Sequence, residues 1–589
     1  MSTSDLRDVL VNLVDRPNVV VEALRPGPGA GGAVEVDVAH RVQSTAVWVT
    51  PTAVGPGRAD ARILDLTIDL PDLVLWTMRG GRWEQTFPPE AFAAVGRAIH
   101  PSLPNTWHER HADIVVGSAA GRSSDDTMPF LLLTDADATC GIWVAIGSSG
   151  SWQARLVRTP RGASHRFTVV GPGCEAPLEA GERLALPRTL VGPFVGDGWD
   201  SIRRWLGDAA PRTHAPWVSY NTWFNLNSEI DDEVIAASAE VAAGLGVEAF
   251  VIDAGWYDGP ADAVEDHDDD STAPDNFSTT GLGTWQVDAR KFPNGLATVM
   301  DGIRRHGMIP GLWFEPERAH AGSQVAAEHP DWLRACPDDD FRLVDFGVSA
   351  AREWALETVS NAVRDLGLGW IKWDFNIHDV RPYWDGDDRA ELAHQEGLYA
   401  TLDALRARHP DLIIEMCASG GNRIDVETLI RCDTYWITDQ TINPSIVRDT
   451  VGNAARLLPA QYRLLGFSPQ CGDEPPERFP DAWILASTLG PLCLMEDLRR
   501  WPQALREQVR SHVEAFKARR HLLDGSVRSL QVEAESPLAQ WWAWEFTTDD
   551  GEALLMAFRD LATTTSQTFV GSQRWDLQLP AQGATAIVG

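Results

Sequence analysis

Asp253, Glu315, Asp374, Cys417 and Asp439 each close a short apolar run and carry a group able to do chemistry, and Lys372 lies one strand-face step before Asp374. Carboxylates dominate the set. Lys372 and Asp374 are two residues apart, so on a strand they share a face, and a neighbouring ammonium favours the ionised carboxylate. A nucleophile requires that ionised form. Asp439 follows Tyr435, Trp436, Ile437 and Thr438 with no cation beside it. Such an apolar setting raises a carboxyl pKa and keeps the proton that a general acid must deliver. Two carboxylates in opposite protonation states, walled by aromatic rings, suit glycoside hydrolysis: one attacks or stabilises an oxocarbenium-like centre while the other protonates the leaving oxygen. No Ser-His-Asp arrangement, Walker loop, HExxH or strand-following GxGxxG stands beside them, so acyl transfer, phosphoryl transfer and dinucleotide chemistry lack their parts.

These side chains need a scaffold that brings distant chain segments together. The runs are WVSYNTW (217–223), VEAFVID (247–253), MIPGLWFE (308–315), GLGWIKWDFN (367–376), LIIEMCAS (412–419), TYWITD (434–439), YRLLGF (462–467) and LCLMED (492–497). Amphipathic patterns separate them, among them 231–246, 296–307, 351–367 and 391–409. Short apolar strands alternating with helices over roughly 300 residues predict a (β/α)8 TIM barrel, whose active site lies at the C-terminal ends of the strands. Residues 15–200 alternate apolar and polar positions between Gly, Pro and Asp turns, which predicts a large β-sandwich. Strand-like alternation returns after about residue 520, as in WWAWEF and EALLMAF, and predicts a small C-terminal antiparallel β-domain. The expected domains are therefore a β-sandwich over 1–210, a catalytic barrel over 211–518 and a β-domain over 519–589.

Composition narrows the function further. The 589 residues carry 50 Lys+Arg against 84 Asp+Glu, a net charge of -34, which repels nucleic acid and anionic membranes. No apolar run reaches the roughly 18 residues of a membrane span, and the N-terminus lacks a secretory pattern, so the expected location is cytoplasmic. The 7 cysteines are scattered without a CxxC pair, which fits reduced thiols and implies no structural metal. The 25 tryptophans are expected mainly in cores, with some as stacking surfaces for sugar faces. An acidic stretch at 258–276 reads as a solvated loop, since its spacing is not that of an EF-hand.

Within 217–450 the motifs FVIDAGW, GTWQVDARKFPNGL, GLWFEPE, IKWDFN, CASGGNR and WITDQT occur in that order. Through them the chain closely resembles glycoside hydrolase family 36, the α-galactosidase family of clan D. Upstream, GRSSDDTMPF and GSSGSW resemble that family's N-terminal β-supersandwich. The resemblance implies that Asp374 is the nucleophile and Asp439 the acid/base of a retaining double displacement on terminal α-D-galactosyl residues. It implies a sugar pocket formed by Asp253, Trp223, Trp285, Lys372, Arg342, Cys417 and Gly420, with no cofactor. It also implies a homo-oligomer, a tetramer or dimer, acting on small oligosaccharides or glycosides.

One position departs from the pattern. The family usually has two adjacent aspartates before Gly-Trp, and here the second is Ala254. Losing that acceptor leaves open a related specificity, such as β-L-arabinopyranoside or α-N-acetylgalactosaminide, or galactosyl transfer. A sugar-binding protein without catalysis is the alternative from another class, and the survival of both Asp374 and Asp439 speaks against it.

Overall fold

The computed structural model describes residues 35–43, 45–58, 62–68, 73–81, 87, 89–93, 97–98, 113–158, 165–210, 217–258, 281–337, 339–469, 474–530, 541–560, 564–580 and 583–589. Nearly all of the acidic stretch at 258–276, and Cys471, lie outside these.

The centre is a parallel barrel of eight strands: β1 (Val218–Asn221), β2 (Ala249–Ile252), β3 (Ile309–Phe314), β4 (Trp370–Trp373), β5 (Ile413–Met416), β6 (Thr434–Tyr435), β7 (Leu465–Phe467) and β8 (Leu492–Leu494). Each falls inside one of the apolar runs read from the sequence. They pair in the order β6-β5-β4-β3-β2-β1-β8-β7, and a parallel bridge between Trp436 and Leu464 closes the ring from β6 to β7. Around it run α1 (Asp232–Leu245), α2 (Leu296–Arg305), α3 (Ser349–Leu366), α4 (Asp388–Arg408), α5 (Val426–Leu429), α6 (Pro444–Ala454), α7 (Asp481–Ala486) and α8 (Gln503–Arg519). Their starts follow local chemistry: the Asp231 side chain accepts from the Val234 amide at α1, and Asp387 accepts from Ala390 at α4. Trp217, Trp370, Trp436, Ile413, Cys417, Cys493 and Met495 fill the inside of the ring, so it is a packed core and not a pore.

Before the barrel, a nine-stranded antiparallel sheet faces a four-stranded one. Strand Cys140–Gly147 is buried along its whole length. Its period of two explains this: Ile142, Val144 and Ile146 point into the space between the sheets, and Trp143 and Ala145 point the other way, toward the barrel. There Trp143 meets Trp205 at 6.2 Å, and Trp48 meets the same ring edge-on at 5.9 Å. The sandwich thus presents a second apolar face and welds to the barrel through it. After α8, a four-stranded antiparallel sheet and a separate two-stranded one share the cluster around Trp541, Phe569 and Trp575. Among the described residues no helix is long and apolar enough to cross a membrane, and Cys140, Cys174, Cys336, Cys417, Cys432 and Cys493 are free thiols.

Candidate active site

A cavity of about 590 Å³ opens at the C-terminal ends of the strands. Asp253 follows β2, Asp374 follows β4 and Asp439 lies just beyond β6, and all three line it together with Lys372, Trp223 and Ala254. Residues as far apart in the chain as Trp223 and Asp439 are gathered because a barrel strand ends where its neighbours end.

Asp374 is buried. Its Oδ2 accepts from the Trp313 indole N–H at 3.0 Å and its Oδ1 accepts from the Phe375 amide at 2.8 Å. Burial opposes ionisation, but the Lys372 ammonium and the donors on its oxygens outweigh it, and the carboxyl titrates below the usual aspartate range. Asp439 is half-buried and receives the Trp436 indole N–H on Oδ1 at 2.7 Å. Burial and then the negative charge of Asp374 push its pKa up to about 6. One carboxyl is therefore held ionised and the other held protonated into the mildly acidic range, by surroundings alone.

Lys372 donates to Asp253 Oδ2 at 2.8 Å, and Asn221 donates to the same oxygen at 2.6 Å. Desolvation disfavours the buried ammonium, yet the carboxylates of Asp253 and then Asp374 outweigh it, so its pKa lies well above the ordinary lysine value. It remains charged. Cys417 is buried beside Asp374 and its thiol hydrogen-bonds that carboxylate. Gly420 has φ +82, and a Cβ there would come within 3.0 Å of the Asp439 backbone nitrogen, so its glycine is required twice over.

Four expected pocket residues, Cys417, Gly420, Trp285 and Arg342, are not among those lining the cavity. Trp285, with φ 54, packs against Trp256, Tyr257, Phe314 and Trp313 and is not among the lining residues. It backs Trp313, which does line the cavity and holds Asp374. Arg342 sends its guanidinium to the backbone carbonyls of Asp339 and Phe341 and is likewise not among the lining residues. The arginine in the wall is Arg318, ion-paired to Glu315 at 2.7 Å.

The structure adds Asn376 and shows what the acids of GLWFEPE hold. Asn376 lines the cavity, bonded to Glu315 through both its amide N–H and its side chain, and accepts from the Ser419 hydroxyl at 2.9 Å. Glu317, one layer away, binds Arg423 in a two-pronged pair at 2.8 Å and takes the Trp373 indole N–H. Trp370 gives the same kind of bond to Glu415. Several tryptophans thus act as hydrogen-bond donors to acids, among them Trp436, which the sequence presents only as an apolar neighbour of Asp439. The loop after β5 is gripped from outside the barrel. Ser123 and Ser149 both donate to Asp425 at 2.9 Å, and the Ser124 hydroxyl donates to the Gly421 carbonyl at 2.7 Å while accepting from the Ile424 amide at 2.6 Å. GRSSDDTMPF and GSSGSW carry these serines. Among the described residues no cluster of His, Cys, Asp and Glu is placed to hold a metal ion.

One aspartate shifted down and another shifted up, sharing a cavity at the C-terminal ends of barrel strands, are the parts that glycoside hydrolysis needs. Comparison with known proteins points the same way. The Melibiase family model matches residues 199–460. The α-galactosidase of Escherichia coli is 29% identical over 381 residues, covering 62% of this chain and 51% of that protein. α-Galactosidase Mel36A of Lactobacillus acidophilus is 32% identical over 351 residues, 56% of this chain and 46% of that protein. The chain spans about half the length of such curated relatives. In fold, the family 36 α-galactosidase AgaA from Geobacillus stearothermophilus superposes with TM-score 0.75 at 20% identity, over 94% of this chain and 80% of that one. Over residues 199–460 the chain is thus similar to the Melibiase family, and as a whole it shares the fold of the family 36 α-galactosidase AgaA.

Proposed function

We propose that the protein is a retaining exo-glycosidase that releases terminal α-D-galactosyl residues from small galactosides by double displacement. Asp374 attacks the anomeric carbon while Asp439 protonates the departing oxygen. Asp439, then ionised, draws a proton from water, which hydrolyses the glycosyl-enzyme with overall retention of configuration. The observation that carries this reading is that both carboxyls line one cavity, Asp374 bonded by the Trp313 indole and Asp439 by that of Trp436, with their pKa values shifted in opposite directions by their surroundings. Asp253, Lys372 and Trp223 bind the sugar from the cavity wall, with Cys417 and Gly420 supporting the catalytic loop. Curated relatives are named as α-galactosidases, and variants of AgaA were crystallised with raffinose and with stachyose, which supports oligosaccharides as the substrate class.

Ala254 favours a second reading, a related glycosidase or transglycosylase of altered specificity, because it puts an apolar methyl in the cavity wall. A panel of p-nitrophenyl glycosides, with Asp374→Ala as the blank, separates the two: α-D-galactopyranoside, α-N-acetyl-D-galactosaminide, β-L-arabinopyranoside and α-D-glucopyranoside. A lead of about tenfold for the galactoside, roughly 1.4 kcal/mol in the transition state, upholds the first reading, and another leader upholds the second. No turnover above the blank on any of them refutes both. A cytoplasmic location, supported by the unpaired thiols, and assembly into a homo-oligomer complete the proposal; light scattering of the purified chain tests the latter.

A further inference from the structure

Between β3 and α3 the chain leaves the barrel and builds a small antiparallel sheet from Arg318–His320, Leu333–Ala335 and Phe341–Val344. The turn between the last two strands delivers Cys336 and Asp339 to the cavity wall. Asp339 is held from two sides: its Oδ1 accepts from the Phe341 amide at 2.8 Å, and its Oδ2 accepts from the Tyr383 hydroxyl at 2.6 Å. Tyr383 belongs to the short helix Arg381–Trp384 that follows β4, so a second excursion fixes the rotamer of the first. Among the described residues no lysine or arginine is ion-paired with this carboxylate, and each of its oxygens retains a further acceptor site. The cations of the cavity are committed elsewhere, Lys372 to Asp253 and Arg318 to Glu315. The other carboxyls of the lining are those of Asp253, Asp374, Asp379 and Asp439.

We propose that Asp339 is a specificity-determining residue that accepts a hydrogen bond from a hydroxyl of the bound sugar, taking over the reading that an acid at the position of Ala254 would perform. The inference rests on the glycosidase reading above. It follows from three facts: a preoriented, half-buried acceptor without a cation, a cavity wall made apolar at Ala254, and an excess of acids that favours a neutral polyhydroxylated ligand over a uronate. A carboxylate in such a wall is desolvated in part, and a sugar O–H restores the lost hydrogen bond. The same carboxylate discriminates against an analogue lacking that hydroxyl, because the analogue leaves it unsatisfied.

The test is a kcat/KM matrix. Wild type, Asp339→Ala, Asp339→Asn and Tyr383→Phe are each assayed on the best aryl glycoside of the panel and on its monodeoxy analogues. Asp339→Ala is expected to lose roughly 10- to 100-fold on the parent glycoside, and to equal wild type within about threefold on the one analogue that lacks the contacted hydroxyl. Asp339→Asn keeps partners for the Phe341 amide and the Tyr383 hydroxyl, so it preserves the fold and should fall between. Tyr383→Phe frees Oδ2 without removing it, and the dependence on that hydroxyl should persist. A change below about twofold for Asp339→Ala on every glycoside overturns the proposal. So does an equal loss on the parent and on every analogue, which marks Asp339 as a brace between two loops. Wild type no faster than Asp374→Ala on any glycoside removes the glycosidase reading itself and this proposal with it, an outcome distinct from both.

Discussion

Replacing Trp436 by Phe removes one hydrogen bond from one carboxyl and leaves its charge neighbours in place. The indole N–H lies 2.7 Å from Asp439 Oδ1 and can only donate, so it stabilises the ionised form over the protonated one. A hydrogen bond to a charged group is worth about 1.5–3 kcal/mol, and 1.36 kcal/mol corresponds to one pKa unit, so its loss should raise the Asp439 pKa by roughly 1–2 units. The starting point is about 6, set by burial and by Asp374. The variant should therefore titrate between roughly 7 and 8. In a retaining glycosidase the basic limb of kcat/KM against pH reports the acid of the free enzyme. On a substrate with a poor leaving group, that limb should move up by the same amount while the plateau at low pH keeps its position. Trp436 is buried, so the smaller ring leaves a void, and a thermal melt should confirm that the variant is folded over the pH range assayed. A basic limb that stays in place, or moves down, refutes the assignment of the proton to Asp439.

Four further outcomes are expected. Asp374→Ala should abolish turnover and azide should partly restore it, yielding a glycosyl azide of inverted configuration, whereas Asp439→Ala should lose severely on poor leaving groups and mildly on activated aryl glycosides; product analysis by NMR and paired kinetics check these. Ser124→Ala leaves the buried Gly421 carbonyl and Ile424 amide without their side-chain partner, and should cost about 1–3 kcal/mol by denaturant unfolding and lower kcat without contact with substrate. Glu391, buried against the Ser151 amide, has its pKa raised to about 7 chiefly by desolvation. Between the unfolded value of about 4.3 and that figure the native state holds a proton the unfolded chain has released, so stability is full below about pH 4 and falls as pH rises toward 7. Glu391→Gln should raise the melting temperature at about pH 8 and change it little at about pH 4, the gap reflecting up to roughly 3 kcal/mol.

The barrel was legible because its strands are short apolar runs between amphipathic helices, a pattern few architectures share, and because strand ends converge in space whatever their separation in sequence. Asp253, Asp374 and Asp439 could be placed at strand ends that way, whereas the raised pKa of Asp439 comes from burial and the charge of Asp374, with Lys372 acting against it, and none of these neighbours is local in the chain. Trp285 and Arg342 resisted the same logic. Whether a ring faces a cavity or lies behind the ring that does depends on the backbone, and the positive φ of Trp285 carries no signature in its neighbours. Arg342 and Asp339 are three residues apart on one excursion, and only the turn geometry decides which of them enters the wall. The serines that hold the loop after β5 lie roughly 300 residues upstream of it, and nothing local marks a serine as a clamp.

Those serines also bear on how such a protein can be rearranged. Ser123, Ser124 and Ser149 arrive from the sandwich and complete the loop that carries Ser419 and Gly420. The barrel therefore does not own its whole catalytic surface. A barrel excised from this chain, or grafted onto a foreign sandwich, would keep both carboxylates and yet present the loop between them without its outer supports. For chimeras and for divergence alike, the inheritable unit is the pair of domains, and a change of partner on either side would have to bring the serines with it.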